Sequence, residues 1–176
     1  HAFSFGPCDM PRFRPSDSRN CLAKQSMLEN AYEAYDRIIR TAMHARAELI
    51  VECPEVLARI EWRELEKVLR VTFEGIGFDT KLTRPGKDGG FDLELTTAQD
   101  GQRRTYLVEV KHWADQRPGP AHLKKFISVT ASKRAASGLL LSTSGFAKTI
   151  YSGLTGFSAP VRLGDGAKVV ALCRTY

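Results

Sequence analysis

Apolar and polar residues alternate in two stretches near the middle of the chain. One is Phe91-Asp92-Leu93-Glu94-Leu95-Thr96, and the other is Tyr106-Leu107-Val108-Glu109-Val110-Lys111, broken only at Leu107. A period of two predicts half-buried strands. Asp100-Gly101 lies between them. Asp-Gly is a strong hairpin signal, because a two-residue type I′ turn needs positive φ at both positions. With those two residues as the loop, facing positions sum to 201, which sets Phe91 against Val110, Leu93 against Val108 and Leu95 against Tyr106, every pair apolar. The same sum sets Asp92 opposite Glu109 on the other face, with Lys111 two residues farther along that face.

The remaining pattern supplies helices and further strands. Residues 1 to 25, with Pro7, Pro11 and Pro15, read as an irregular arm. Ser26 and Glu29 form a capping box that opens a helix. Leu28, Tyr32, Tyr35, Ile39 and Ala42 make an apolar stripe on it, interrupted at Arg46 and resumed at Leu49. The stripe reads either as a dimer seam or, more simply, as a face packed on the rest of the chain. Pro54 marks a boundary. Trp62 to Ile76 is predicted as a helix burying Leu65, Val68, Leu69, Thr72 and Phe73, ended by Gly75 and Gly77. Phe78 to Thr83 follows as a strand.

Beyond the hairpin, Pro120 suits the first turn of a helix over Ala121 to Ala135 that buries Leu123, Phe126, Ile127 and Thr130. Gly138 to Ser142 is a short apolar run of the kind found in strands covered on both faces. The path from Lys111 to Leu141 then implies a parallel pairing with a right-handed crossover. Thr143-Ser144-Gly145 is expected to lead into a helix near Phe146, and Val161 to Leu163 and Lys168 to Cys173 to be edge strands around Gly164-Asp165-Gly166. These elements make an α/β fold with a mixed central sheet of about five strands and helices on both faces. The expected division is an N-terminal arm with its helix, 1–53, and a core domain, 54–176.

Chemistry concentrates at the open end of the hairpin. Directly opposed residues have Cβ atoms roughly 5 Å apart, so Asp92 and Glu109 would repel each other. A shared proton, which raises one pKa, or a cation bound by both would relieve that repulsion. Two hard oxygen ligands beside Lys111 suit Mg²⁺, which keeps several waters and takes one or two protein carboxylates.

Charge favours a polyanionic partner. The net charge is +6, and from Arg103 to Lys148 the chain has nine Lys or Arg against only Glu109 and Asp115. Within and around that run, Lys87, Lys124, Lys125, Ser144 and Lys148 are the candidate contacts to nucleic acid. Cys8, Cys21, Cys53 and Cys173 form no CxxC pair, so neither a zinc site nor a disulfide framework is indicated. No apolar run approaches the roughly 20 residues of a membrane span, and no signal-peptide pattern is present. A soluble, cytoplasmic protein is expected. The first residue is His rather than Met, which raises the expectation of an upstream domain or partner protein.

The ordered set Leu65-Glu66, Gly77-Phe78, Leu82-Thr83, Asp88-Gly89-Gly90-Phe91-Asp92, Glu109-Val110-Lys111 and Thr143-Ser144-Gly145-Phe146 resembles the Mrr-like restriction endonuclease family of the PD-(D/E)xK nuclease superfamily. The likeness runs from Pro54 to Cys173. It implies a restriction-endonuclease-like core and metal-dependent hydrolysis of phosphodiester bonds in double-stranded DNA, in restriction or anti-phage defence. Asp92, Glu109 and the Val110 carbonyl would hold Mg²⁺, with Mn²⁺ as a substitute, to polarise the phosphoryl oxygen and acidify a bound water. Lys111 would orient that water or neutralise developing charge. Glu66, eleven residues before Gly77 as in the family pattern, would assist through a second metal or an outer-shell water. His112, next to Lys111, reads as a satisfied core or edge histidine. The alternative function is a nucleic-acid-binding or sensing module that keeps the fold without cutting. Cutting both strands needs two sites, and a symmetric homodimer is the commonest way to supply them, with the stripe on the N-terminal helix as one candidate seam.

Overall fold

The computed structural model describes residues 15–83, 89–99, 101–152 and 160–175, without the side chains of 15–20 and 99. Residues 1–14, and Lys87 and Asp88 in the loop 84–88, lie outside the described residues. The chain divides into two compact units, His1–Ile39 and Arg40–Tyr176. Helix α1, Pro15–Glu52, begins well before Ser26, so the expectation of an irregular arm through residue 25 is corrected for residues 15 to 25. Proline is accommodated in a first helical turn, where its missing N–H has no partner to lose.

In the first unit Leu28, Tyr32 and Tyr35 are exposed, together with Leu22, Met27 and Ile38. In the second unit the last turns of α1 bury Met43, Ala47 and Ile50, whose spacings of four and three put them on one side of the helix.

The second unit is an α/β layer structure. A turn of 3-10 helix, Pro54–Ala58, precedes α2, Trp62–Gly75. The side chain of Glu61 caps α2 by accepting from the N–H groups of Arg63 and Glu64 at 2.9 and 3.2 Å, which satisfies two of the four donors a helix start leaves open. Strands β1 (Asp79–Leu82), β2 (Leu93–Gln99) and β3 (Gln102–Lys111) form an antiparallel meander. Helix α3, Pro120–Ser132, leads to β4, Ser137–Ser142, which runs parallel to β3. Strand β5, Val161–Gly164, is parallel to β4 and completes a five-stranded sheet in the order β1-β2-β3-β4-β5.

Helix α3 buries Leu123, Phe126, Ile127 and Thr130. With Leu107 of β3, Leu140 of β4 and Ile150, the apolar members of that set form the core beneath α3. On the opposite face α2 covers β1 and β2, and the ring of Phe78 meets both Phe73 of α2 and Tyr106 of β3 edge to face. The ladder confirms the hairpin register: Leu93 pairs with Val108, Leu95 with Tyr106, and Gln99 with Gln102, leaving two residues for the turn, of which Gly101 has φ 73°.

Three expectations are corrected. Lys168 to Cys173 is helical, within α4, Gly166–Arg174. Its buried Val169, Val170, Leu172 and Cys173 follow helical spacing, and the Asp165 carboxylate accepts from the Lys168 N–H at 3.1 Å as an N-cap. No helix begins near Phe146; residues 143 to 152 form turns. There Gly145 takes φ 77° and donates its N–H to the Ser142 carbonyl, while the Ala147 N–H goes to Pro118.

The third correction is at the open end of the hairpin. The ladder stops at Leu93 and Val108, so neither Phe91 with Val110 nor Asp92 with Glu109 forms a ladder pair. The Asp92 N–H instead donates to the Val108 carbonyl at 2.8 Å, one position off the 201 register. Thr83 pulls this segment toward β1, its N–H donating to the Asp92 carbonyl at 2.9 Å and its hydroxyl to that of Phe91 at 3.1 Å.

Candidate active site at the open end of the hairpin

The slip at Asp92 gives its side chain a backbone partner. Asp92 Oδ2 accepts from the Val110 N–H at 2.7 Å, so the carboxylate is locked onto the next strand by the amide that lost its ladder partner. Glu109 and Lys111 leave β3 on one face, and Lys111 Nζ meets Glu109 Oε1 at 2.5 Å. Lys111 also stands over the Trp113 ring at 5.3 Å, within the range of a cation–π contact.

Glu66 arrives from α2. Its side chain is only 1% exposed, because it follows Leu65 into the helix face turned to the sheet. Sequence reading placed it at the flank of that face; the structure places it beneath. Arg63, one helical turn earlier, donates from Nη1 to Glu66 Oε2 and from Nη2 to the Thr83 carbonyl at 3.0 Å. Arg63 was not singled out from the sequence, although an Arg three residues before a buried Glu on a helix is the signal that could have found it.

A cavity of about 300 Å³ is lined by Trp62, Glu66, Asp92, Val110, Lys111 and Trp113, among others. Glu109 does not line it and is nearly buried on the α3 side. A larger groove, about 650 Å³, shares His112 and Trp113 with this cavity but holds none of Glu66, Asp92 or Glu109. His112 stands between the two. Its Nε2 lies 2.7 Å from the Ile60 carbonyl, which can only accept, so Nε2 donates. In the neutral ring, Nδ1 is then left to accept from the Thr143 hydroxyl at 2.8 Å. Both ring nitrogens are occupied, as expected for a structural histidine.

The electrostatics follow from burial. Desolvation pushes the Glu66 carboxyl from 4.5 up to about 7, against the opposing hydrogen bond from Arg63, and the negative charge of Asp92 adds to the rise. Desolvation also raises Asp92, only partly offset by the Val110 N–H, the charges of Lys111 and Arg63, and a hydrogen bond with Glu66. Glu109 is raised chiefly by burial and further by Asp92, against Lys111 and the more distant Lys125. Three acids are thus held away from water with two cations among them, Arg63 on Glu66 and Lys111 on Glu109.

Of the candidate contacts to nucleic acid, Lys124, Lys125 and Lys148 are exposed. The Ser144 hydroxyl donates to the Gln116 carbonyl at 2.8 Å, so its first role is to tie two loops together. Among the described residues no helix is long and apolar enough to cross a membrane. The described cysteines, Cys21, Cys53 and Cys173, are free thiols.

Residues 57–173 match the family model described as restriction endonuclease, Mrr_cat. The chain is 37% identical over 147 residues to the uncharacterized protein y4cE of Sinorhizobium fredii (strain NBRC 101917 / NGR234), a match covering 82% of this chain and 38% of that protein. Among solved structures it is similar to the DNA modification-dependent restriction endonuclease AspBHI, with 21% identity, a TM-score of 0.48, and coverage of 80% of this chain and 35% of the other. A second is the MspJI restriction endonuclease in complex with a 27-mer oligonucleotide, with 19% identity, a TM-score of 0.42, and coverage of 85% and 31%. The chain therefore spans about a third of the length of these proteins, from 31% to 38%.

Proposed function

The chain belongs to the Mrr_cat restriction endonuclease family, and from that premise we propose that residues 54–176 form a metal-dependent endonuclease domain that hydrolyses phosphodiester bonds in double-stranded DNA for restriction or defence. One observation carries the reading: at the open end of the hairpin the half-buried Asp92, held by the Val110 N–H, and the buried Glu109, paired with Lys111, are both pushed toward neutrality by burial. Burying acids this way costs stability, and a cation held by Asp92 and Glu109 removes that cost.

The donor set fits Mg²⁺, or Mn²⁺ in its place. Asp92 Oδ2 is fixed by the Val110 N–H, which leaves Oδ1 for an ion. Glu109 and the Val110 carbonyl supply further hard oxygen ligands, as a largely hydrated ion prefers. When bound, such an ion polarises a phosphoryl oxygen and acidifies a water.

The chain's own residues supply the remainder. Lys111, held by Glu109 and by the Trp113 ring, places a positive charge where a pentacoordinate phosphate gains negative charge. Glu66, close to Asp92 and raised by burial to about 7, can hold a proton or a water near neutral pH. Exposed Lys124, Lys125 and Lys148 are the proposed contacts to the DNA backbone, with Ser144 and Lys87 as further contacts.

Incubating plasmid DNA with the protein tests this. Cleavage in Mg²⁺ or Mn²⁺ that is abolished by EDTA and by Asp92→Ala is the expected result. DNA binding without cleavage in either metal would replace the endonuclease with the binding module.

A further inference from the structure

Glu66 already has a cation beside it. The Arg63 guanidinium is bonded to the Glu66 carboxylate through Nη1 and to the Thr83 carbonyl through Nη2 at 3.0 Å, and it lies over the Trp62 ring at 5.1 Å. Three contacts fix its plane, two of them from α2 itself, the Glu66 carboxylate and the Trp62 ring, and the third from the Thr83 carbonyl just past the end of β1. Its side chain is 22% exposed and that of Glu66 is 1%. A guanidinium stays protonated at any pH the protein tolerates.

The carboxylates are arranged to match. Asp92 is near Glu66 on one side and Glu109 on the other. Yet among the described residues no three His, Cys, Asp or Glu side chains gather closely enough to hold a metal ion. The Glu66 carboxylate is bonded instead to the Arg63 guanidinium.

We propose that Arg63 takes the place beside Glu66 that a second divalent ion would need, so that this active site binds one ion per chain and Glu66 acts only through a water. This rests on the reading of Asp92 and Glu109 as ligands. It assigns Arg63 as a positioning residue, which holds Glu66 through a charge-assisted bond and repels any further cation. Removing the guanidinium frees a buried carboxylate next to Asp92, which creates the second site that the native chain lacks.

The test is a titration of the intact chain with Mn²⁺ followed by electron paramagnetic resonance, which reports the free hydrated ion without any turnover. The wild type is expected to bind one equivalent, abolished by Asp92→Ala. Arg63→Gln is expected to keep that first equivalent, which also shows that it is folded, and to gain a second, weaker one. Adding Glu66→Gln to that variant removes the second equivalent, and Arg63→Lys, which keeps the charge, does not acquire it.

Two equivalents in the wild type, or one in both wild type and Arg63→Gln, would overturn the assignment of Arg63 while leaving the endonuclease standing. No binding at all by the wild type would remove the Asp92 and Glu109 site, and this inference with it.

Discussion

Replacing Glu66 by Gln in the metal-free protein should flatten the dependence of stability on pH. The carboxyl is raised from 4.5 in the unfolded chain to about 7 in the fold, and each unit corresponds to ~1.4 kcal/mol. The native state binds the extra proton between those two values. The stabilisation is therefore complete below pH 4.5, falls as pH rises, and is gone above about pH 7, a total of about 3 kcal/mol. Most of that change falls between pH 5 and pH 8.

Gln keeps the shape and still accepts a hydrogen bond from Arg63, but it does not titrate. Any fixed cost of weakening the Arg63 bond is the same at both pH values and cancels in the comparison. Urea unfolding with EDTA present, followed by the fluorescence of Trp62 and Trp113, gives the four midpoints. For a chain of this size an m-value of roughly 2 kcal/mol per molar turns the effect into a wild-type midpoint that drops by over ~1 M more than that of Glu66→Gln. Asp92 and Glu109 are raised in the same direction, so the variant keeps a residual slope. Parallel pH profiles for the two proteins would refute the reasoning, because Glu66 would then be ionised in the fold at no cost.

Asp92→Ala should lose cleavage by orders of magnitude in a plasmid assay, while gel-shift affinity for DNA is kept or rises, since one carboxylate no longer repels phosphate. Lys111→Ala should lose cleavage as well yet keep its Mn²⁺ affinity, measured by the same resonance titration, because ammonium is not a ligand. Lys124→Ala with Lys125→Ala should flatten the logarithmic salt dependence of DNA binding by up to about two units, and an unchanged slope places the DNA elsewhere. Gly90 and Gly101 have nearly equal φ, 74° and 73°, but a Cβ at Gly90 would lie 2.7 Å from Val129 Cγ2 whereas at Gly101 it meets nothing within 4 Å. Gly101→Ala should thus cost about 1 kcal/mol and Gly90→Ala roughly 2 to 4 kcal/mol, and equal losses in urea would show that Val129 moves aside freely.

The hairpin register was legible because two independent signals, apolar alternation and Asp100-Gly101, agree on one sum. What the sum could not contain is a side chain acting as backbone: once Asp92 Oδ2 satisfies the Val110 N–H, the last ladder pairs are unnecessary and the strand departs. Helix α3 was read to its buried residues because its apolar spacing runs over three turns. Lys168 to Cys173 is too short for periodicity to separate helix from strand, and Asp165 between two glycines has the composition of a turn although it is the cap that decides the helix. The Ser26 and Glu29 pattern opens no helix, since α1 passes through it. For the site, Glu66 was found through spacing, but Arg63 was missed because only the apolar face of α2 was followed. A hydrogen bond to the Thr83 carbonyl, 20 positions away, leaves no mark in a local pattern.

The parallel pairing of β3 with β4 has a consequence for how such a domain can diversify. The last pair of that ladder is Lys111 with Ser142, so both strands end at the reactive edge and both following segments start there. Those segments are joined to each other, Ser144 to Gln116 and Ala147 to Pro118, rather than to Asp92 or Glu109. On the proposed reading, insertions or new side chains in either segment would change which DNA is grasped while the carboxylates stay where the hairpin and α2 hold them. In an open α/β sheet this is the edge where ligands collect, and here it separates the inheritance of a chemistry from the inheritance of a target.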